Sequence, residues 1–398
     1  MINESIKIGK LNFENRVVLQ PMEGCDCFED GSPSELTVAK YMRASESCAA
    51  LVWFEANAVC PEGRTNPGQL MLTRENLPKF KKLVLDMRAV AKEKCGVSPV
   101  FILQLTHSGR QSIKPMIAYR NEVYEERRPM SDENIVSDEY LDTLPKKYAE
   151  SALLAREAGF DGVDIKCCHG YLFQELLSAF YREGRYGGSF ENRTKLYFDS
   201  IRAVKEAVGD SLLLATRLSV SDMVRRPFGF GTDESGNLDL TEPDMLIEGL
   251  VREGIKILNV TIGNPYFNPH INRPYRKGGY IPPESAEVGL ERFVTVEKHI
   301  KENFKGLFVV ASGLSYYREN LIEKSEELLS LGVCDFVGYG RGWIAYPSLY
   351  SDYLRGQFNP KKCCLSCSKC TELMRNKKVS GCAVFNPTYA EIYKEIKK

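Results

Sequence analysis

Eight short runs rich in β-branched and apolar residues recur along this chain, at 17–21, 51–55, 100–105, 162–168, 212–218, 256–262, 307–312 and 336–341. Between them lie amphipathic stretches. In 144–158, which ends at Gly159, and in 290–303 and 318–331, apolar positions recur every three or four residues. Buried strands that each precede a helix belong to a parallel sheet, because parallel strands need a crossover and the crossover helices cover the faces. Two architectures satisfy that pattern, a closed (β/α)8 barrel and an open doubly wound sheet. The open sheet would favour a G-x-G-x-x-G turn after the first strand. The nearest match, Gly338-Tyr-Gly340-Arg-Gly342, comes at the eighth run and has Trp343 where the third glycine belongs. The expected fold is therefore α/β, a (β/α)8 TIM barrel over residues 1–355, with 356–398 as a cysteine-bearing C-terminal segment.

Composition narrows the partners. The chain is 43% hydrophobic and 27% charged, enough to bury a large core, and its 53 basic and 53 acidic residues cancel. That balance argues against a broad nucleic-acid or anionic-membrane footprint. The first residues mix charges with short apolar runs, and no apolar run reaches the ~18 residues of a membrane span. A cytoplasmic enzyme acting on a small molecule is expected. The cysteine count is odd, at thirteen, and five of them, Cys363, Cys364, Cys367, Cys370 and Cys382, crowd into the last tenth of the chain. In an unexported protein this favours a metal site over a disulfide framework.

Polar residues gather where the expected strands end: Glu23, Gln104 with His107, Lys166 with His169, Arg217, Asn264, Ser312 and Arg341. In a barrel these ends share one rim, where active sites are built. The long connections 106–140 and 219–241 would cover a pocket there.

Four groups of residues suggest chemistry. Gln104 and Arg217 match the hydrogen-bonding pyrimidine edge of an isoalloxazine ring, whose reduced form carries negative charge that a guanidinium stabilises; a solvated amide and a rim salt bridge would use the same residues. Ser312-Gly313 and Gly340-Arg341 follow late strands and precede helices, a placement that suits a phosphate group and also ordinary tight turns. Lys166, His169 and Tyr171 lie close together after the fourth run. Two donors there could hold a carbonyl oxygen while a phenol protonates the neighbouring carbon; equally, the histidine could be structural and the lysine salt-bridged. In the tail, Cys364, Cys367 and Cys370 are each separated by two residues, and Cys382 follows after eleven more. Four thiolates suit an iron–sulfur cluster or zinc. A ferredoxin run would place its fourth cysteine after three intervening residues and before proline. Cys363-x-x-x-Cys367-x-x-Cys370 also spells a radical S-adenosylmethionine motif, but it is C-terminal and has Lys369 where an aromatic belongs.

With these residues placed, the chain resembles the Old Yellow Enzyme family of FMN-dependent ene-reductases, in particular the iron–sulfur subgroup that includes 2,4-dienoyl-CoA reductase and trimethylamine dehydrogenase. The likeness runs from Asn15 to Pro387. It is strongest at Gln20-Pro-Met-Glu23, Phe54-Glu-Ala-Asn-Ala-Val-Cys-Pro-Glu-Gly-Arg64, Gln104-Leu-Thr-His-Ser-Gly-Arg110, Ala158-Gly-Phe-Asp-Gly-Val-Asp-Ile165, His169-Gly-Tyr-Leu172 and Tyr186-Gly-Gly-Ser-Phe-Glu-Asn-Arg193. The resemblance implies that Pro21, Met22 and Ala56 line FMN. It further implies that Gln104 and Arg217 meet the flavin's pyrimidine edge, and that Ser312, Gly313, Gly340 and Arg341 hold its phosphate. Tyr171 falls on the proton-donor position, and Cys364, Cys367, Cys370 and Cys382 fall on the ligands of a [4Fe-4S] cluster.

Departures from the family pattern bear on the substrate. Lys166 replaces the first of two neutral oxygen-holding residues and suggests a carboxylate-bearing or strongly polarised substrate. Glu23 stands where a small residue or thiol usually faces the flavin. His270, in the loop after strand six, is a candidate for a further substrate contact. The larger relatives continue into FAD- and nucleotide-binding domains. Within these residues the expected electron sources are NADH or NADPH docking on FMN, or a separate redox partner acting through the cluster. The expected activity is reduction of the C=C bond of an α,β-unsaturated carbonyl compound. An amine dehydrogenase on the same scaffold is the alternative, and a flavin-less barrel with a structural zinc tail is a remote one.

Overall fold

The computed structural model describes residues 1–396. A small antiparallel hairpin, β1 (Ile6–Ile8) and β2 (Leu11–Phe13), precedes eight barrel strands. These are β3 (Val17–Leu19), β4 (Leu51–Ala58), β5 (Val100–Thr106), β6 (Gly162–Ile165), β7 (Leu213–Ser221), β8 (Ile257–Ile262), β9 (Phe308–Ala311) and β10 (Phe336–Tyr339). They pair in parallel in chain order, and β10 closes on β3 through Val337↔Val17 and Tyr339↔Leu19. The (β/α)8 barrel expected from the sequence is the fold. Each of the eight expected runs holds one strand, though the ends differ: β6 stops at Ile165, and Cys167 rejoins Leu218 only through an isolated bridge. Helix Asp138–Ala158 starts earlier than the apolar periodicity predicts, because the Ser137 side chain accepts from Tyr140 N and caps it. Among the described residues no helix is long and apolar enough to cross a membrane.

Side chains alternate in and out along each strand. Val18, Leu51, Trp53, Val100, Ile102, Ala215, Ile257, Val310 and Phe336 form one apolar cluster with Ile8 and Phe13 of the hairpin. This is the lower barrel interior, and the hairpin plugs its floor. Two residues further along the same inward positions the interior turns polar: Val18 gives way to Gln20, Ile102 to Gln104, Ala215 to Arg217, Ile257 to Asn259 and Val310 to Ser312. The pleat alone thus lifts a row of polar groups to the C-terminal rim.

Strand β4 breaks the alternation. Trp53 pairs with Ile102, but Ala56 rather than Glu55 pairs with Gln104, so an extra residue bulges out. Glu55 leaves the inward set and meets Lys40 Nζ at 2.6 Å and Tyr41 Oη at 3.1 Å on helix Glu35–Ser45. Ala56 takes the place beside Gln104.

The packing also joins a cysteine pair that no motif singled out. A disulfide joins Cys48 to Cys95, with Cα atoms 5.3 Å apart. It ties Cys48, in the turn after helix Glu35–Ser45, to the last residue of helix Leu77–Cys95, and the helices pack side by side. A count and spacing of cysteines carries no information on such packing.

Phe13 is fully buried and meets Phe336 edge-to-face at 5.1 Å. Phe13→Ala should therefore leave a cavity under the barrel and lower the unfolding free energy by about 3–5 kcal/mol, read by urea denaturation.

Candidate functional site

The polar rim is held by two buried hubs. Asp164, inward on β6, accepts from Trp53 Nε1 at 2.9 Å, Gln104 Nε2 at 2.7 Å and Arg217 N at 2.8 Å. Burial pushes its carboxyl up to about 6, and these donors oppose the shift. With its amide nitrogen engaged by Asp164, Gln104 is fixed in orientation. The second hub is Gln20, whose Oε1 accepts from Arg217 Nη1 at 2.5 Å and Asn259 Nδ2 at 2.7 Å, while its Nε2 donates to Ser312 Oγ at 3.2 Å. Trp343 Nε1 holds its backbone oxygen at 3.0 Å. Position 338 must be glycine: a Cβ there would lie 2.0 Å from Gln20 Nε2.

Lys166, His169 and Tyr171 follow β6 on a sharply turned segment. His169 and Gly170 both adopt left-handed backbone, at φ 66° and 67°. For histidine this costs roughly 1 kcal/mol, and the packing must hold it. Lys166 Nζ stands 3.8 Å from the centroid of the Tyr171 ring. Burial lowers the lysine's pKa and keeps His169 well below its usual range, so the imidazole is neutral. Burial raises the Tyr171 phenol well above its usual range. Glu23, half-buried and near enough to feel the Lys166 charge, accepts from Asn66 Nδ2 at 3.0 Å. The surrounding protein pushes its carboxyl up to about 7, against the pull of the Lys166 charge.

Among the described residues, four buried polar atoms at this rim have no partner: Arg217 Nε, Asn259 Oδ1, His169 Nε2 and Arg341 Nη1. Each costs about 1–3 kcal/mol if left unpaired, and four facing one rim fit a polar ligand there. The donor set suits a flavin mononucleotide. Gln104 and Arg217 are held side by side through Asp164, and Gly313 and Arg341 open helical turns on the far side. Ala56 lies beside Gln104, and Met22 Sδ sits 3.2 Å from where a Cβ on Gly340 would be.

The tail packs against that same far side. Cys364, Cys367, Cys370 and Cys382 line one cavity, with Arg341, Ile344 and Ala345 of the barrel forming its wall. Cys363 is instead buried in the barrel's outer core. Ser366 O accepts from Arg276 N and Lys277 N, and Ser380 N donates to Gly24 O at 2.6 Å. Among the described residues no three His, Cys, Asp or Glu side chains converge on a point that a single ion could occupy.

His270 is not brought to this group. Its Nδ1 lies 2.5 Å from Tyr280 Oη, and the ring lines a separate open groove with Asn268, Glu284 and Arg292. His107 turns outward to Tyr140 Oη at 2.8 Å. Sequence reasoning missed Gln20, Asp164 and Asn259 as site-builders, although inward alternation from Val18, Gly162 and Ile257 would have found them. It also missed Tyr266, whose hydroxyl lies 3.5 Å from that of Tyr171.

A closed parallel barrel with this rim has the framework of a flavin-binding oxidoreductase. The chain matches the NADH:flavin oxidoreductase / NADH oxidase family over residues 2–240, and it belongs to that family. It is similar to an NADH oxidase of Thermoanaerobacter brockii, 27% identical over 369 residues, covering 91% of this chain and 52% of that protein. It is also similar to a cinnamate reductase of Clostridium sporogenes, 26% identical over 408 residues, covering 97% of this chain and 57% of the relative. A solved 2-naphthoyl-CoA reductase in complex with 2-naphthoyl-CoA shares the fold at a TM-score of 0.78 and 18% identity, over 98% of this chain and 58% of that one. The chain thus spans between half and three-fifths of the length of these three proteins.

The raised carboxyl of Glu23 has a consequence for stability. Its folded value of about 7 exceeds the ordinary 4.5, so the folded state binds the proton more tightly. The stability this contributes is complete below pH 4.5 and is lost as pH rises through 7. Glu23→Gln should remove that slope, seen as a flatter dependence of the unfolding midpoint on pH across this window.

Proposed function

We propose that this chain is an FMN-dependent ene-reductase unit that reduces the C=C bond of an α,β-unsaturated carbonyl compound. The observation that supports the reading is one cluster: a buried Lys166 side chain with its Nζ 3.8 Å from the Tyr171 ring centroid, a neutral His169 whose Nε2 has no partner among the described residues, and a protonated Tyr171 phenol. FMN would be held by Gln104 and Arg217 at its ring edge, by Pro21, Met22 and Ala56 along the ring, and by Ser312, Gly313, Gly340 and Arg341 at its phosphate. Bound and reduced, it supplies a hydride.

The protein's own groups do the rest. Lys166 and His169 donate to the carbonyl oxygen and offset the negative charge that develops there. Burial disfavours the charged form of Lys166, so a substrate oxygen that is anionic or strongly polarised, such as a carboxylate, would restore it. Tyr171, kept protonated at neutral pH, donates to the α-carbon. Arg217, locked by Gln20 and Asp164, gives a fixed positive charge at the ring edge.

The tail cysteines Cys364, Cys367, Cys370 and Cys382 would hold a [4Fe-4S] cluster as a C-terminal unit beginning near residue 356. Four cysteines at this spacing around one cavity suit a four-thiolate cluster, with zinc as the competing occupant. Arg341 lines that cavity and also opens the turn assigned to the phosphate, which favours electron entry through the cluster from a redox partner alongside NADH or NADPH.

The test is protein purified without air, reduced with dithionite and mixed with cinnamate. Reoxidation of the yellow chromophore with formation of the saturated acid is expected. A flavin that ignores cinnamate and other enoates but is reduced by amines would replace this reading with an amine dehydrogenase. Tyr171→Phe should slow that reoxidation about 100-fold or more while leaving reduction by dithionite intact. Cys370→Ala should lose the iron found by metal analysis; zinc without iron in the parent protein would overturn the cluster.

A further inference from the structure

Tyr171 is 3% exposed, so a phenolate left there after proton donation has no direct access to water. Its hydroxyl lies 3.5 Å from the hydroxyl of Tyr266, and the two rings stack with centroids 6.4 Å apart. Tyr266 is 40% exposed. It sits in the loop after β8, the same loop that carries His270.

The loop is held in register. Tyr266 N donates to Asn264 Oδ1 at 3.0 Å, and Asn264 N donates to Asn268 Oδ1 at 2.6 Å. The Asn264 amide packs against Gly170, where a Cβ would lie 2.5 Å from Asn264 Nδ2. The segment carrying Tyr171 and the segment carrying Tyr266 are therefore pressed together at a position where no side chain fits between them. Two phenols whose hydroxyls stand 3.5 Å apart, one on an enclosed ring and one on a partly exposed ring, form a short proton path.

We propose that Tyr266 is a relay residue that reprotonates Tyr171 after each turnover. The inference rests on the reading of Tyr171 as proton donor. As the Tyr171 O–H bond breaks, a C–H bond forms at the substrate α-carbon and a phenolate remains. The Tyr266 O–H bond then breaks as the Tyr171 O–H re-forms, and Tyr266 recovers a proton from solvent or a buffer acid. No electrons move in these steps. The Lys166 ammonium beside the Tyr171 ring offsets the transient negative charge. Tyr266 acts through Tyr171 and need not touch the substrate.

The experiment compares first and later turnovers of the FMN-loaded enzyme with cinnamate. In Tyr266→Phe the first turnover should keep its rate, because Tyr171 begins protonated, while steady-state turnover falls about tenfold. Imidazolium buffer should restore it, and the steady-state solvent deuterium effect should rise. Tyr266→His, which keeps a proton carrier, should recover most of the loss. Unchanged steady-state turnover in Tyr266→Phe, or a loss that buffer acid and Tyr266→His both fail to repair, overturns the relay. Tyr171→Phe separates the two ideas: if it leaves the first turnover unaltered, the donor assignment itself falls and takes the relay with it. Independently of turnover, 3-fluorotyrosine placed at position 266 should shift its ionisation midpoint, read by fluorine resonance, when Tyr171 becomes Phe. No shift would show that the two hydroxyls are not coupled.

Discussion

A single carboxylate inside the barrel organises most of what lies above it. Asp164 receives one donor from β4, one from β5 and one from β7, so three neighbouring strands are tied to β6 at the level where the interior turns from apolar to polar. Burying a carboxylate is costly, and three donors offset that cost. In return the amide of Gln104 and the backbone of Arg217 have one arrangement each. Gln20 repeats the device across the barrel by clamping the Arg217 guanidinium and the Asn259 amide. Precision at the rim comes from these two hubs on rigid strands, which is where a site can be held most tightly.

The outer layer has its own buried charges. Lys40 meets both Asp26 and Glu55, which leaves one more acid than base beneath the loop that carries Glu23. That excess negative charge adds to the upward push on Glu23, whose main cause is burial. The β4 bulge is what sends Glu55 there, so one inserted residue both places Ala56 at the inner wall and sets the electrostatics on the other side.

Most of the fold was legible in the sequence, because apolar runs and intervening helical periodicity report the barrel directly. Lys166, His169, Tyr171, Gln104, Arg217 and Arg341 were legible as rim residues for the same reason. Asp164 and Gln20 were missed because a polar residue inside an apolar run reads as noise until the inward face is known. His270 stands apart from the rim cluster because proximity in sequence to strand six does not determine which way a loop turns: its ring pairs with Tyr280 beside a different groove. Tyr266 and the Cys48–Cys95 bond depend on loops and helices meeting across the fold, and no spacing rule reaches that far.

The hydrogen bond from Ser380 to Gly24 joins the segment carrying Cys382 to the residue next to Glu23. Mechanical continuity of this kind means that damage at the tail would not stay local. With a cluster held by those cysteines as proposed, its loss to oxygen would let that strap slacken, and the acidic loop beside the proposed flavin would lose an anchor. Bleaching of the yellow colour would then report harm inflicted at a distance, before any question of electron flow arises.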